Sequence, residues 1–473
     1  MTERNEQLKA FIEHARWFGG KGRGFTVTGC RRLTMPGSET PDEATGRTVV
    51  VELVSLSYAD GLSTGSGQAA TDVYQVPVSY YRAEQVMLHH ALIGTWDDPD
   101  LGTVWAYDAL HDHAATPTWL HSFADAVTTD EVEFHRVGTP ELDVEARSTL
   151  LSGEQSNSSV MFGETALMKI FRRLTPGRNP EIELLAALTD AGNENIATLF
   201  GWVDARTEDG ELLQLGILQQ FLRTASDGWE LALASLRNLY TTDDVSARES
   251  GGDLASEAFR LGDAVAHMHV SLAEAFPTET WGSTELARLA DAMSARLQDA
   301  VEVVPQLEEL APALHAIFDA VRHVGEPVTV HRVHGDLHLG QTLRTVKNWK
   351  IIDFEGEPAK SLEERRRPDS PWRDVAGMLR SFDYAAEVSR RDHADATGDT
   401  DDQGEDRARE WAARNTTAFL AGYREATGAD IDQVLLTAYA TDKAVYEAVY
   451  EARNRPGWLS IPLAALTRLA SQA

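Results

Sequence analysis

The densest run of chemically capable side chains is Val328–Glu357, VTVHRVHGDLHLGQTLRTVKNWKIIDFEGE. A β-prone approach, Val328–Val333, runs into His334-Gly-Asp-Leu-His-Leu-Gly-Gln341. Thr342–Thr345 and Trp349–Ile352 then have the pattern of a hairpin that delivers Asp353-Phe-Glu355. Two loops ending short strands can converge Asp336, Gln341, Asp353 and Glu355 on one site. Phosphoryl transfer needs a carboxylate that orients a hydroxyl and accepts its proton, and oxygen ligands that hold magnesium on a polyphosphate. These residue types at these spacings supply both. Zinc is the competing chemistry for His334 and His338, but HEXXH is absent and the surroundings are rich in Asp.

The phosphoryl donor needs a grip of its own. Ser148–Leu151 leads into the small-residue loop Ser152–Ser159, then Val160–Phe162, a turn at Gly163-Glu164, and Ala166–Phe171. Small side chains let backbone N–H groups approach phosphate oxygens, so Ser156, Asn157 and Ser158 are nucleotide-binding candidates. Lys169 on the following strand and Glu183 on the helix after Pro180 form the expected ammonium–carboxylate pair; Glu181 competes from a different helix face. From Leu213, LLQLGILQQFL reads as a buried strand ending at Phe221, followed by the polar TASDGWE. Kinases seat an adenine ring at such a strand-to-helix crossing, which makes Gln219 and Phe221 candidates.

The remaining elements frame these loops. Thr48–Ser57 and Asp72–Tyr81 are Val- and Tyr-rich strands separated by a Gly/Ser loop, so the first 140 residues read as a β-rich region. Glu6–Trp17 has helical spacing at Leu8, Phe11, Ile12 and Ala15. The segment RWFGGKG (Arg16–Gly22) lacks the GxxxxGK[ST] spacing and reads as a turn with a packing role. Ala258, Leu261, Val265, Met268 and Leu272 form one helical stripe, with His267 and His269 beside it read as structural. Acidic residues crowd 241–253 and Asp392–Asp406, the latter read as a mobile insertion without chemistry.

Among 473 residues, 43 Lys and Arg face 74 Asp and Glu, a formal charge of −31. So acidic a surface repels phosphate backbones and anionic lipid, which argues against nucleic-acid or membrane partners. Hydrophobic residues at 42% exclude wholesale disorder. The single Cys30 excludes an internal disulfide or a CxxC pair. MTERNEQLKAF has no signal-peptide core, and no apolar run is long enough for a membrane helix; a soluble cytoplasmic protein is expected.

HGDLHLGQ, a hairpin and DFE together resemble the HxDxxxxN…DxD/E signature of the aminoglycoside phosphotransferase and choline kinase-like superfamily. Phe354–Ala386, Asp442–Leu466 and the RWFGGKGR block look like the actinobacterial maltokinases. The resemblance implies an α+β, eukaryotic-kinase-like two-lobed fold with an N-terminal β-rich cap: cap 1–140, N-lobe 141–222, and an α-rich C-lobe 223–473. It implies that Asp336 engages the acceptor hydroxyl and that Asp353 is the magnesium aspartate. Gln341 stands where the superfamily usually has Asn, and Glu355 replaces the Gly of DFG, as a second metal ligand or a loop partner. Lys169 and Glu183 match the phosphate lysine and its helix partner, and Asp374 matches a residue that braces the catalytic loop.

A sugar is held by planar polar groups and an aromatic face. Tyr446, Glu447, Tyr450, Glu451, Arg453, Asn454 and Trp458 fall within thirteen residues. Of these Tyr446, Tyr450, Glu451 and Arg453, with His338 beside Asp336, are the sugar candidates. The implied reaction is maltose plus ATP to maltose 1-phosphate and ADP, feeding α-glucan synthesis, with magnesium as cofactor. The alternatives are a glucosamine kinase of the same fold and a non-catalytic scaffold for a trehalose synthase-like or glucan enzyme.

Overall fold

The computed structural model describes residues 2–59, 71–138, 141–151, 153, 156–223, 225–241, 246–249, 253–358, 360–397 and 402–472. Parts of four segments singled out above, at 59–71, 152–159, 241–253 and 392–406, therefore lie outside the described residues. The chain forms two compact units. The first comprises Met1–Ala186, Ala197–Arg223 and Pro358–Arg365; the second comprises Ala187–Ile196, Thr224–Glu357 and Arg366–Ala473. Among the described residues no helix is long and apolar enough to cross a membrane.

The first unit holds two antiparallel sheets. One contains β1 (Phe25–Thr34), β2 (Thr48–Tyr58), β3 (Thr71–Tyr81), β4 (Leu92–Asp98) and β5 (Gly102–Asp108), in the order β1-β2-β3-β5-β4. The helix Glu3–His14, N-capped by the Thr2 hydroxyl, contributes Leu8 and Ile12 to the core of this sheet, with Trp17, Phe18, Val54, Tyr74 and Trp96. Val- and Tyr-rich strands suit this packed face, as their composition requires. Glu52, fully buried in β2, accepts hydrogen bonds from Arg4, Arg32 and Tyr80, so its charge is paired. Burial and the neighbouring Glu52 push the Cys30 thiol well above its ordinary pKa.

The other sheet contains β6 (Val132–Arg136), β7 (Ser148–Leu150), β8 (Ser158–Phe162), β9 (Ala166–Ile170), β11 (Leu199–Arg206) and β12 (Leu212–Gln220), in the order β6-β11-β12-β9-β8-β7; β10 (Arg173–Leu174) pairs instead with β3. The division expected at residue 140 is thus crossed twice. β6 comes from the region assigned to the cap, yet Val132 and Phe134 are buried and β6 pairs with β11. β10 comes from the region assigned to the N-lobe, and Gln75 Nε2 reinforces the junction by donating to the Phe171 carbonyl at 2.6 Å.

The second unit is helical. Ala258, Leu261, Val265, Met268 and Leu272 of the helix Ala255–Ala275 are all buried, as the stripe predicts. This helix meets the helix Asp402–Thr427 at backbone distance: a Cβ added at Gly262 would sit 2.0 Å from the Phe419 carbonyl oxygen, and one at Gly422 equally close to that of Phe259. Of the acidic stretch 392–406, residues 398–401 lie outside the described residues. Residues 392–397 end the helix Trp372–Thr397 and 402–406 open the helix Asp402–Thr427. The predicted hairpin is present, with Thr342–Arg344 antiparallel to Trp349–Ile351.

Candidate active site

The hairpin fixes two ends of the candidate site in the second unit. Thr342 pairs with Ile351, so Gln341 just before one strand and Asp353 just after the other are brought together. Gln341 Nε2 donates to Asp353 Oδ2 at 2.9 Å, and the Ile352 N–H donates to the Gln341 carbonyl at 3.0 Å. Asp353 itself has φ +65°, a left-handed conformation that a non-glycine residue adopts only when its surroundings impose it. His334 Nε2 donates to the Ile352 carbonyl at 2.9 Å, tying the two loops together. The Gln341 amide oxygen and the carboxylates of Asp353 and half-buried Glu355 make an all-oxygen donor set of the kind magnesium prefers.

The loop carrying Asp336 is braced from beneath. Asp374, in the first turn of the helix Trp372–Thr397, accepts the N–H groups of His334 at 2.7 Å and Gly335 at 2.8 Å, and His269 Nε2 at 3.0 Å. His269 is in turn bonded to the Tyr423 hydroxyl at 2.9 Å, which gives this buried histidine the structural role read from the sequence. Burial alone would raise the Asp374 pKa; the hydrogen bond and charge of His269, with His334 and the Gly335 N–H, overcome it and hold the group at about 2. Gly377 lies on the same helix where a Cβ would meet the Leu337 carbonyl oxygen at 2.5 Å, so the loop rests directly on helix backbone.

Sequence reasoning missed Lys443. Its ammonium, on the helix Gln433–Asn454, donates to Asp336 Oδ1 at 2.8 Å. Burial would lower the Lys443 pKa, but the charge and hydrogen bond of Asp336 raise it above the ordinary value. Among the described residues Asp336 Oδ2 receives no protein hydrogen bond, which leaves it open to a hydroxyl. The Lys443 ammonium also lies 5.1 Å from the Tyr446 ring centroid, and Tyr446 and Tyr450 stack with centroids 6.4 Å apart. The signal was the i, i+3, i+7 spacing of 443, 446 and 450, which puts the cation on the same helix face as the two tyrosines.

Other sugar candidates behave differently. His338 Nδ1 accepts the Gly340 N–H at 3.1 Å; burial, aided by Lys443 and opposed by Asp336, lowers its pKa to about 4, so the ring is neutral. Glu451 is buried and accepts from the Tyr384 hydroxyl at 2.7 Å and from Arg455 at 2.6 and 2.9 Å. Both of its oxygens are thus engaged in the helix packing. Arg453 is exposed in the last turn of its helix.

In the first unit, Lys169 on β9 is buried and its ammonium donates to Glu181 at 2.9 and 3.2 Å. The expected partner Glu183 gives way to Glu181 because the helix starts at Pro180, with the Glu181 N–H capped by Asn179 Oδ1 at 2.8 Å, which turns that first carboxylate toward the strand. Ser158 belongs to β8, and its hydroxyl accepts from Arg172 Nε at 2.8 Å. Asn157 is likewise buried, while Ser156 is exposed. Gln219 is half-buried near the end of β12. The Phe221 N–H donates to the Thr165 carbonyl at 2.8 Å and cannot also serve an adenine ring.

Asp336 and Asp353 on two loops joined by a hairpin, and a strand lysine paired with a helix glutamate, are the features expected of a kinase-like phosphotransferase. The chain belongs to the phosphotransferase enzyme family, which it matches over residues 148–411, more than half its length, and residues 11–112 match the maltokinase N-terminal cap domain. It is 30% identical over 338 residues to a glucosamine kinase of Streptacidiphilus jiangxiensis, an alignment covering 67% of this chain and 72% of the relative. A glucosamine kinase of Mycolicibacterium smegmatis is 28% identical over 341 residues, covering 67% and 78%. The fold is similar to that of a solved glucosamine kinase in complex with glucosamine, ADP and inorganic phosphate, with a TM-score of 0.67 at 21% identity over 98% of both chains. The protein is thus an enzyme with a kinase-like two-lobed fold and a β-rich N-terminal cap, transferring phosphoryl groups to an alcohol acceptor.

Proposed function

We propose that the enzyme transfers the γ-phosphoryl group of ATP to a sugar hydroxyl, with maltose as acceptor and maltose 1-phosphate and ADP as products. The single observation that carries this reading is the Asp336 carboxylate with one oxygen on Lys443 and the other open, beside the Tyr446–Tyr450 stack. Asp336 Oδ2 accepts the hydrogen bond of the anomeric hydroxyl and takes its proton as the new O–P bond forms. The bond from the γ-phosphorus to the bridging oxygen breaks, and ADP leaves. Lys443 fixes the carboxylate in orientation, so the acceptor oxygen is aligned before transfer. Lys169, held by Glu181, grips the nucleotide phosphates. Magnesium, when bound by Gln341, Asp353 and Glu355, neutralises phosphate charge. The tyrosine stack offers a ring face to sugar C–H edges.

Maltose is favoured by the long blocks Phe354–Ala386 and Asp442–Leu466 and by the cap. Glucosamine is the second reading, favoured by the names of the curated relatives. A coupled ADP-release screen over maltose, glucose, glucosamine and trehalose separates them. The highest kcat/KM on maltose is expected. If glucosamine is the best acceptor, the phosphotransfer reading stands and the maltose reading falls.

A further inference from the structure

The Lys443 ammonium has three N–H donors, and among the described residues Asp336 Oδ1 is the one protein acceptor it meets, at 2.8 Å. Its side chain is 25% exposed, so the cation is presented at the site and not sealed in the core. Burial would lower its pKa, but Asp336, Glu447 and Glu357 raise it, so the group is a cation at neutral pH. The neighbouring Tyr446 lies among the same charges: burial raises its pKa, Lys443 opposes the rise, and Glu357 and Asp336 add to it. A carboxylate with one oxygen on an ammonium and the other open offers two adjacent sugar hydroxyls an acceptor and a donor side by side.

The carboxylates around this ammonium are themselves held by arginines, although the chain as a whole carries a charge of −31. Glu447 accepts from Arg380 Nη2 at 2.6 Å, and Glu357 from Arg373 Nη2 at 2.7 Å. Asp442, beside Lys443 in sequence, accepts from Arg296 Nε at 2.8 Å and Nη2 at 2.7 Å. All of these residues belong to the second unit. Asp353 and Glu355 are the metal donors of the reading above. An ammonium on the acceptor would therefore meet carboxylates that already have a cation, and would lie close to Lys443. Two like charges a few ångströms apart near a protein surface repel by more than a factor of about ten in affinity. A hydroxyl in the same place accepts a hydrogen bond from Lys443 instead.

We infer that Lys443 selects the acceptor: it donates to the hydroxyl next to the reacting one, so the site takes a neutral sugar with two adjacent hydroxyls and rejects one with an ammonium in the second place. The inference rests on the reading of Asp336 as the group that receives the acceptor proton, and it gives Lys443 a part in specificity beyond positioning that carboxylate.

The test uses two acceptor pairs that differ in that substituent alone: maltose against its analogue with an amino group in place of the reducing-ring 2-hydroxyl, and glucose against glucosamine. Rates of ADP release by the full chain give kcat/KM for each sugar. The neutral member of each pair should be favoured at least about tenfold. Lys443→Met should narrow that preference at least about fivefold, and Lys443→Arg, which keeps the charge, should hold it within about twofold. Loss of rate from a displaced Asp336 falls on both members of a pair and cancels in the ratio. If Lys443→Met does not fold, the parent ratio measured from about pH 6.5 to about 9 decides, since the amino acceptor loses its proton over that range and the preference should fade with it. A parent enzyme that uses the amino sugar as well as the neutral one, a preference unchanged in folded Lys443→Met, or a preference that does not fade with rising pH would overturn the inference. Transfer to maltose without discrimination would leave the phosphotransfer reading standing and remove this one. No transfer to any of the four sugars would remove both.

Discussion

Lys443 Nζ lies 2.8 Å from Asp336 Oδ1, a contact that ties the helix Gln433–Asn454 to the catalytic loop across 107 residues of sequence. Hydrogen bonds to charged groups are worth about 1.5–3 kcal/mol, which corresponds to roughly ten- to a hundredfold in rate when the loss falls on the transition state. Lys443→Met should therefore lower kcat by that factor with both substrates saturating. A kcat within twofold of the parent, at an unchanged melting temperature, would show that the bridge has no part in positioning Asp336.

Asp374 couples loop geometry to acid stability. Its folded pKa, about 2, lies below the ordinary value of about 3.9 for an unfolded aspartate. A depressed carboxylate stabilises the fold above its unfolded pKa, and that contribution disappears as pH falls through the folded value. The gap in unfolding free energy between the parent and Asp374→Asn, about 2 kcal/mol from this ionisation alone, should thus be constant above about pH 5 and shrink between about pH 4 and 2. Denaturant titrations of both proteins at a series of pH values check it; a gap that does not narrow contradicts the ionised, hydrogen-bonded brace.

The loop also depends on a missing methyl group. Gly377→Ala would press a Cβ into the Leu337 carbonyl, 2.5 Å away in the present geometry. Overpacking of this kind costs about 1–3 kcal/mol, and displacement of a catalytic group by about 1 Å can reduce turnover a hundredfold. The variant should show a lower melting temperature and a kcat reduced more than its nucleotide affinity. Parent-like kcat would mean that the loop does not rest on this helix in solution.

How much of this was legible in the sequence depended on distance along the chain. The hairpin, the Ala258–Leu272 stripe and the approach of Gln341 to Asp353 follow from local periodicity and turn spacing, and they appear where expected. Asp374 was legible only through family resemblance. Spacing puts Lys443 on the face of Tyr446 and Tyr450, but its bond to Asp336 was not legible, because that partner is 107 residues away and a lysine on a helix ordinarily reads as a solvated charge. The partners of Glu451 were illegible for the same reason: Tyr384, whose hydroxyl donates to it, lies 67 residues away. The choice of Glu183 over Glu181 failed on helix phase, which the start at Pro180 fixes. The junction at β6 and β10 was invisible because strand partners across two sheets are set by tertiary packing.

The aromatic stack and the buried glutamate make opposite predictions. Tyr446 and Tyr450 are 36% and 45% exposed, so truncating either should leave stability near the parent and raise the sugar KM several-fold, in line with about 0.5–1.5 kcal/mol per aromatic contact. Glu451→Ala should instead lower the melting temperature, since it strands the Tyr384 hydroxyl and Arg455. Paired KM and thermal-melting measurements distinguish the two. A Glu451→Ala enzyme of parent stability with a tenfold higher sugar KM would return Glu451 to the sugar site.

The most direct test of the central claim is single-turnover phosphoryl transfer by Asp336→Asn, measured alongside nucleotide binding. The amide can neither accept the hydroxyl proton nor hold Lys443 by charge, whereas the nucleotide grip of Lys169 and Glu181 is untouched. Loss of a positioned general base lowers the rate by about 10²–10⁴. Transfer to the sugar should fall by at least about a hundredfold while ATP affinity stays within about threefold of the parent. Transfer within about tenfold of the parent rate would contradict the assignment of Asp336 as the group that receives the acceptor proton.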